Sequence, residues 1–366
     1  MKILHITNHF WPSTGGIEKF VWDLCMESRG LGFECEVLCL NHPHHSSIVL
    51  PAHETVEGIR ITRVPFWNWV YYKPALLPLQ KLREADVLHV HGVGALLDFI
   101  IATKPLHRKP IIVSTHGGIF HTKAIGLIKK AYFSGWQRIA LRGVDRVVAC
   151  SKNDFELFKP VAKRLILIEN GVELKRFEQC TKKSQKNIFL FVGRLSKNKR
   201  IDQLIQTAGI LHNNGVDFEL RLVGEDWEGI RSKLEAEAKH LGISKQVVFV
   251  GKASEKELVE EYCNAKVFVS ASSYEGFGIS AIEAMAAGCV VILNSIDSFK
   301  VFVEPEKNGY LVDYSNPKAC ARVWKDVVTK DQTMIFQQAA KTAEQFAWKK
   351  KIVEWKSLYE CFSKKK

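Results

Sequence analysis

The chain has 366 residues, 46% of them apolar and 25% charged, and its Lys and Arg outnumber Asp and Glu by 52 − 39 = 13. That length accommodates two domains of ordinary size, and the composition excludes a disordered chain. No apolar run reaches the roughly 18 residues of a membrane-spanning helix, and Met1–Thr7 has the pattern of a strand rather than of a secretory leader, so a soluble or surface-lying protein is expected. The basic excess points to an anionic partner: a phosphorylated small molecule, an anionic membrane or a nucleic acid. No helix-turn-helix, RNP or zinc-finger signature supports the last of these. The nine scattered cysteines form no C-x-x-C pair and no zinc spacing, which predicts reduced core thiols in a cytoplasmic protein.

Short apolar runs alternate with longer amphipathic stretches from end to end, the pattern of βαβ units in a parallel sheet. The first half predicts strands near 2–7, 33–40, 59–64, 86–91, 110–115, 145–150 and 165–168. Helices are predicted over 16–30, 93–102, 124–142 and 152–158. After the first strand comes Gly15-Gly16-Ile17-Glu18. Two glycines there let backbone approach a phosphate at a helix start, or simply make a turn. Ser114-Thr115-His116-Gly117-Gly118 ends a strand and places His116 at the carboxyl rim of the sheet, where it could hydrogen-bond a sugar hydroxyl or a carbonyl. His89 and His91 have a similar placement, with His89 reading better as a core histidine. Glu169-Asn170-Gly171-Val172-Glu173 closes the last strand of this half, and the polar stretch Glu178–Lys186 resembles an interdomain linker.

The second half predicts strands near 187–193, 218–223, 247–250, 267–271, 289–294 and 310–312. Helices are predicted over 201–213, 229–241, 255–263, 278–288, 316–329 and 332–360. Gly193-Arg194-Leu195-Ser196-Lys197-Asn198-Lys199-Arg200 follows the strand ending at Val192. Arg194 and Lys199 are two cations suited to a diphosphate, whereas Lys197 and Arg200 read as a solvated face. Ser272-Ser273-Tyr274-Glu275-Gly276-Phe277-Gly278-Ile279 leads into a helix that carries Glu283. A helix N-terminus offers free N–H groups and the positive end of a dipole to an anion, and the two carboxylates can each accept sugar hydroxyls. These Gly-centred turns all follow strands, on the carboxyl edges of two sheets, where doubly wound domains bind ligands.

With those residues in order, the chain resembles the retaining glycosyltransferases of the GT-B fold, family four. The resemblance rests on Glu275 and Glu283 as Glu-x7-Glu, and on Gly193-Arg194-Leu195 with Lys199. It rests also on Gly15-Gly16-Ile17-Glu18, Thr115-His116-Gly117, Cys150-Ser151-Lys152, Asn170-Gly171-Val172 and Leu222-Val223-Gly224. It implies an α/β architecture of two Rossmann-like domains facing across a cleft. An acceptor domain would span 1–177, a nucleotide-sugar donor domain 187–345, and a C-terminal helix with a basic tail, 346–366, would cross back. It implies a metal-independent hexosyltransferase with a UDP- or GDP-sugar donor, a saccharide or lipid-linked acceptor and no cofactor. Glu275, His116, Arg194 and Lys199 are the implied catalytic residues. Arg194 and Lys199 would bind the diphosphate, with Gly15, Gly16 and Gly193 alongside. Backbone of Phe277, Gly278 and Ile279 would meet the phosphates, Gly251 would help to frame the base, and Glu283 would hold the ribose. No Asp-x-Asp suited to Mg²⁺ is seen, and no dedicated protein base is expected.

The chain departs from the family pattern at Arg200, where glycine is usual, at Ala271 and Cys289, where proline is usual, and in the loop Ser295–Glu304, which leaves donor choice open. A nucleotide-sugar epimerase or hydrolase of similar fold is the alternative reading. Residues 121–143 carry Lys123, Lys129, Lys130, Arg138 and Arg142 among aromatic residues and no acid. With the aromatic stretch Phe66–Tyr72 they suggest an anionic membrane surface at the inner face.

Overall fold

Runs of Val, Ile, Leu and Phe that are apolar on both faces can form only strands covered on both sides, and here they build two mostly parallel sheets. The structure, a computed structural model, describes residues 1–13, 15–44, 46–69, 72–117, 132–180 and 184–363. The first sheet contains β1 (Lys2–Ile6), β2 (Glu34–Leu40), β3 (His53–Val56), β4 (Ile59–Val64), β5 (Val87–His91), β6 (Ile111–Ser114), β7 (Arg146–Ala149) and β8 (Leu165–Leu167). The second contains β9 (Ile188–Val192), β10 (Glu219–Val223), β11 (Val247–Gly251), β12 (Val267–Ser270), β13 (Val290–Asn294) and β14 (Tyr310–Val312).

The first sheet runs β3-β4-β2-β1-β5-β6-β7-β8 and the second β11-β10-β9-β12-β13-β14. All neighbours are parallel except β3 and β4. In each sheet the chain winds one way from the central strand and then the other. The order therefore reverses beside β1, between β2 and β5, and beside β9, between β10 and β12. At such a reversal the loops leaving two adjacent strands diverge and open a crevice at the carboxyl edge. β3 was not expected from its polar sequence. It forms because Glu57 and Gly58, both at positive φ, make the tight turn that folds it back on β4 as an edge hairpin.

The chain divides into Met1–Gly171 with Trp348–Lys366, and Val172–Ala347. The described parts of the stretch expected as the linker, 178–180 and 184–186, therefore lie inside the second unit. The helix expected over 332–360 is two helices, Thr333–Glu344 in the second unit and Trp348–Ser363 in the first. The Phe346 carbonyl accepts from the Val172 N–H at 2.8 Å, and that bond takes the carbonyl a continuous helix would need. Trp348, Ile352, Trp355 and Tyr359 form a buried stripe at helical spacing and pack into the first unit's core with Phe20, Leu24 and Cys25.

Cys180 and Cys263 form a disulfide, which corrects the expectation that every cysteine is a thiol. Only the fold brings these two, 83 residues apart, to a Cα separation of 4.7 Å. The expected helix over 124–142 lies outside the described residues as far as 131, and Tyr132–Gln137 is π-helical. No described helix is long and apolar enough to cross a membrane.

Candidate active site

In the second unit the turns after β9, β10 and β11 are knitted by glycines. Gly193 N–H donates to the Val223 carbonyl at 2.9 Å, and Gly224 N–H to that of Gly251 at 2.8 Å. Gly224 has φ +145°, and a Cβ there would lie 2.0 Å from the Gly193 carbonyl oxygen, so only glycine permits this approach. Arg194 emerges from the turn into solvent, its guanidinium 4.6 Å from the centre of the Trp227 ring. The chain then makes the 3₁₀ turn Lys197–Lys199. Arg200 ends it at φ +51°, the left-handed conformation that favours glycine.

Lys199 Nζ donates to Glu275 Oε1 at 2.5 Å, and Ser272 Oγ donates to the same oxygen at 2.8 Å. Both partners of the ion pair are largely covered, with side-chain exposures of 14% and 17%. The Glu275 loop is braced by Asn294 Nδ2, which donates to the Ser272 carbonyl at 3.0 Å, and by Ser273 N–H, which donates to Asn198 O at 2.8 Å. Thus the loop after β9 and the loop after β12 meet where the strand order reverses.

The helix Ile279–Ala286 begins beside this pair. Gly278 caps it at φ +98°, where a Cβ would press to 2.9 Å from the Phe299 ring. No side chain among the described residues caps its first turn, and that turn contains no acid, so its N–H groups are suited to an anion. Phe277 is buried edge-on against Phe346, 5.4 Å between ring centres. On the same helix Glu283 is 7% exposed. Its Oε1 pairs with Arg176 Nη2, and its Oε2 accepts from Tyr262 Oη at 2.9 Å. Burial, and then the charge of Glu283, push the Tyr262 hydroxyl well above its ordinary pKa, so it remains a donor.

In the first unit His116 follows β6 at φ +46°, an uncommon conformation for a residue other than glycine. Asp154 holds the turn open: its Oδ2 accepts from Thr115 Oγ1 at 2.5 Å and from Gly117 N–H at 2.8 Å. Asp154 is itself fixed at the start of helix Lys152–Phe158, where its N–H donates to Ser151 Oγ at 3.1 Å. His116 Nε2 lies 3.1 Å from His91 Nδ1, and His91 Nε2 lies 3.0 Å from His5 Nδ1. His89 is a core histidine, within 2.8 Å of both Tyr359 Oη and Ser114 Oγ. Burial drives the His89 and His91 pKa values well down, so both rings are neutral.

Gly15 caps the helix Gly16–Gly30, and a Cβ on it would fall 2.4 Å from Glu18 Oε2. Glu18 in turn bonds His44 Nε2 at 2.7 Å, so this turn presents a carboxylate as well as backbone N–H groups. Gly16 has open space around it. Among the described residues two interior groups offer metal-ligand atoms within 4.8 Å of one another, His5 with His89 and His91, and His5 with Cys25 and Cys35.

Gly193, Arg194, Lys199, Gly251, Glu275, Phe277, Gly278, Ile279 and Glu283 thus share the carboxyl edge of the second sheet, where Lys199 and Glu275 bond directly. Gly15, Gly16 and His116 share that of the first. Sequence reasoning did not single out Arg176, Tyr262, Trp227, Ser272 or Asp154. Of these, only Asp154 carries a local signal, the Ser-x-x-Asp spacing of a helix cap.

The family described as glycosyl transferases group 1 matches residues 173–345, and glycosyltransferase family 4 matches residues 14–176. A GDP-mannose:cellobiosyl-diphosphopolyprenol alpha-mannosyltransferase of Komagataeibacter xylinus is 33% identical over 98% of this chain and 93% of its own length. The protein of the same description from Xanthomonas oryzae is also 33% identical, over 88% and 86%. Among solved structures, the sucrose-phosphate synthase of Thermosynechococcus elongatus superposes with a TM-score of 0.79 at 20% identity, covering both chains completely. Anabaena Alr3699/HepE in complex with UDP and glucose gives 0.79 at 18% identity, covering 99% of this chain and 100% of that one.

Proposed function

Because this chain belongs to the family four, group 1 glycosyltransferases of the GT-B fold, we propose that it moves a hexose from a nucleotide-linked donor to a saccharide or lipid-linked acceptor, with retention and without a metal. The relatives named for GDP-mannose and a diphosphopolyprenol acceptor favour a GDP-sugar and a lipid diphosphate. The observation that carries the reading is the Lys199–Glu275 pair beside a helix N-terminus that no described side chain caps, at the strand reversal of the second sheet.

Cleaving a nucleotide sugar builds negative charge on the departing diphosphate and positive charge on the sugar ring. Lys199, Arg194 and the N–H groups of Phe277, Gly278 and Ile279 supply fixed positive charge for the first. Glu275, oriented by Lys199 and Ser272, accepts hydroxyls of the transferred sugar. Glu283 accepts those of the ribose, and Gly251 frames the base. In the first unit His116 can bond a sugar hydroxyl, and the Gly15-Gly16 turn can serve phosphate or acceptor. The leaving phosphate takes the acceptor proton. The exposed Trp67, Trp69, Trp136 and Ile139 and the excess of basic residues suit an anionic membrane surface.

Turnover of GDP- and UDP-sugars in the presence of EDTA, with the anomeric configuration of the product read by NMR, tests the reading. R194A should lower kcat by roughly 10²–10³-fold, the loss of one charge-stabilising group, with thermal stability unchanged. Wild-type turnover in R194A would sink this mechanism, and an inverted product would remove retention.

A further inference from the structure

Glu283 would be expensive to leave alone. It sits on a helix whose neighbouring residues Ala281, Ile282, Ala284 and Met285 are all buried, and an uncompensated carboxylate there is strongly disfavoured. Its cation, Arg176, comes from far away in sequence, on the short strap Glu173–Cys180 that precedes β9. Several contacts hold that strap. Phe177 is buried edge-on to Tyr262, 5.3 Å between ring centres, and the Arg176 guanidinium lies 4.8 Å from the Phe177 ring centre. The disulfide ties Cys180 to Cys263, the neighbour of Tyr262 on the helix Glu255–Asn264. Arg176 also reaches Glu255, the first residue of that helix. Strap and helix therefore approach Glu283 together, with one charged donor and one hydroxyl donor on different oxygens of the same carboxylate.

We propose, resting on the reading of Glu283 as the ribose-holding carboxylate, that Arg176 is a positioning residue for the nucleotide donor. A carboxylate offers about four acceptor positions, more than Arg176 and Tyr262 by themselves fill, and ribose hydroxyls are acceptable partners for such a group. With those two donors in place its torsions are set before the nucleotide arrives, and the ordering entropy is not charged to binding. The guanidinium acts on the donor only through Glu283. Its loss therefore weakens recognition of the ribose and leaves the diphosphate and sugar contacts in place.

Calorimetric titration of the full chain with GDP and with 2′,3′-dideoxy-GDP tests this in wild type, R176A, R176K, E283Q and R176A/E283Q. R176A should weaken GDP roughly tenfold or more, the loss expected when a charge-assisted contact is removed, and R176K by less. Dideoxy-GDP, which lacks the hydroxyls, should bind all the variants alike. The double variant should be no weaker than E283Q. In turnover, the donor KM should rise in R176A while kcat at saturation stays within about threefold of wild type. Equal losses for GDP and dideoxy-GDP, multiplicative losses in the double variant, or unaltered GDP binding in R176A beside a weakened E283Q would each overturn the role of Arg176. Unaltered GDP binding in E283Q would instead remove the ribose reading, and this proposal with it. The GDP to dideoxy-GDP ratio is internal to each protein, so R176K carries the comparison if R176A fails to fold.

Discussion

Lys199 and Glu275 stand 76 residues apart in the chain and 2.5 Å apart in the structure. Each was recognisable alone, as a cation after one strand and a carboxylate after another. Their contact follows because β9 and β12 are neighbours at the reversal. Histidine shows the same gap between type and placement. His9 is 6% exposed, and burial, then the nearby His44 and Lys73, lower its pKa to about 4, while burial holds His89 and His91 well below the ordinary value. In the unfolded chain these rings take up protons near pH 6.5, and in the folded chain they do so only at lower pH. The unfolded state therefore binds more protons through that window, and stability falls as pH drops from 6.5 towards 4. His9 alone should account for about 3 kcal/mol of that loss. Urea midpoints measured between pH 7.5 and 4.5 would show the decline, whereas a flat profile would mean that these imidazoles are charged or exposed in the folded protein.

Among the elements, those built from apolar periodicity lie close to where the pattern puts them, and those built from tertiary contacts do not. β3 is polar and exists as the edge partner of β4. The helix ends after Glu344, and just beyond it the Phe346 carbonyl takes a long-range bond from the Val172 N–H. The aromatic stretch Phe66–Tyr72 was legible as a surface feature beside the 121–143 segment, but its link through Asp98 was not. Tyr72 Oη donates to Asp98 Oδ2 at 3.0 Å and Trp136 Nε1–H to Asp98 Oδ1 at 2.8 Å, so Asp98 joins the stretch to the segment Tyr132–Gln137. Trp67, Trp69, Leu76 and Trp136 are all exposed around it. On the proposed membrane-facing reading, aromatic side chains grouped in this way would sit at the lipid headgroup boundary, and the chain's basic excess would add a salt-sensitive attraction. Sedimentation with liposomes should therefore rise with anionic lipid, fall with salt and drop in W67S/W69S. Pelleting that ignores salt, or none at all, would refute the membrane surface.

At the scale of the whole molecule, two units each own a core, and the last helix belongs to the first. Trp355 is fully buried among residues of that unit, with its ring centre 5.1 Å from that of His89 and 6.0 Å from that of Phe20. W355A should destabilise the first unit by about 3–5 kcal/mol. Hydrogen exchange should then quicken over 16–40 and 87–91 while 188–294 keeps its protection. Uniform acceleration throughout would mean that the two cores do not unfold separately. By itself the sequence determined the doubly wound class, the carboxyl-edge location of the Gly-centred turns and the residue types available for phosphate and sugar, because periodicity and turn chemistry act over a few residues. Only the tertiary structure decided that Arg176 pairs with Glu283, that Cys180 meets Cys263, that Asp154 braces His116 and that the final helix completes the first core. Each of those joins partners that local pattern cannot pair, since strand order and helix packing alone set which distant residues become neighbours.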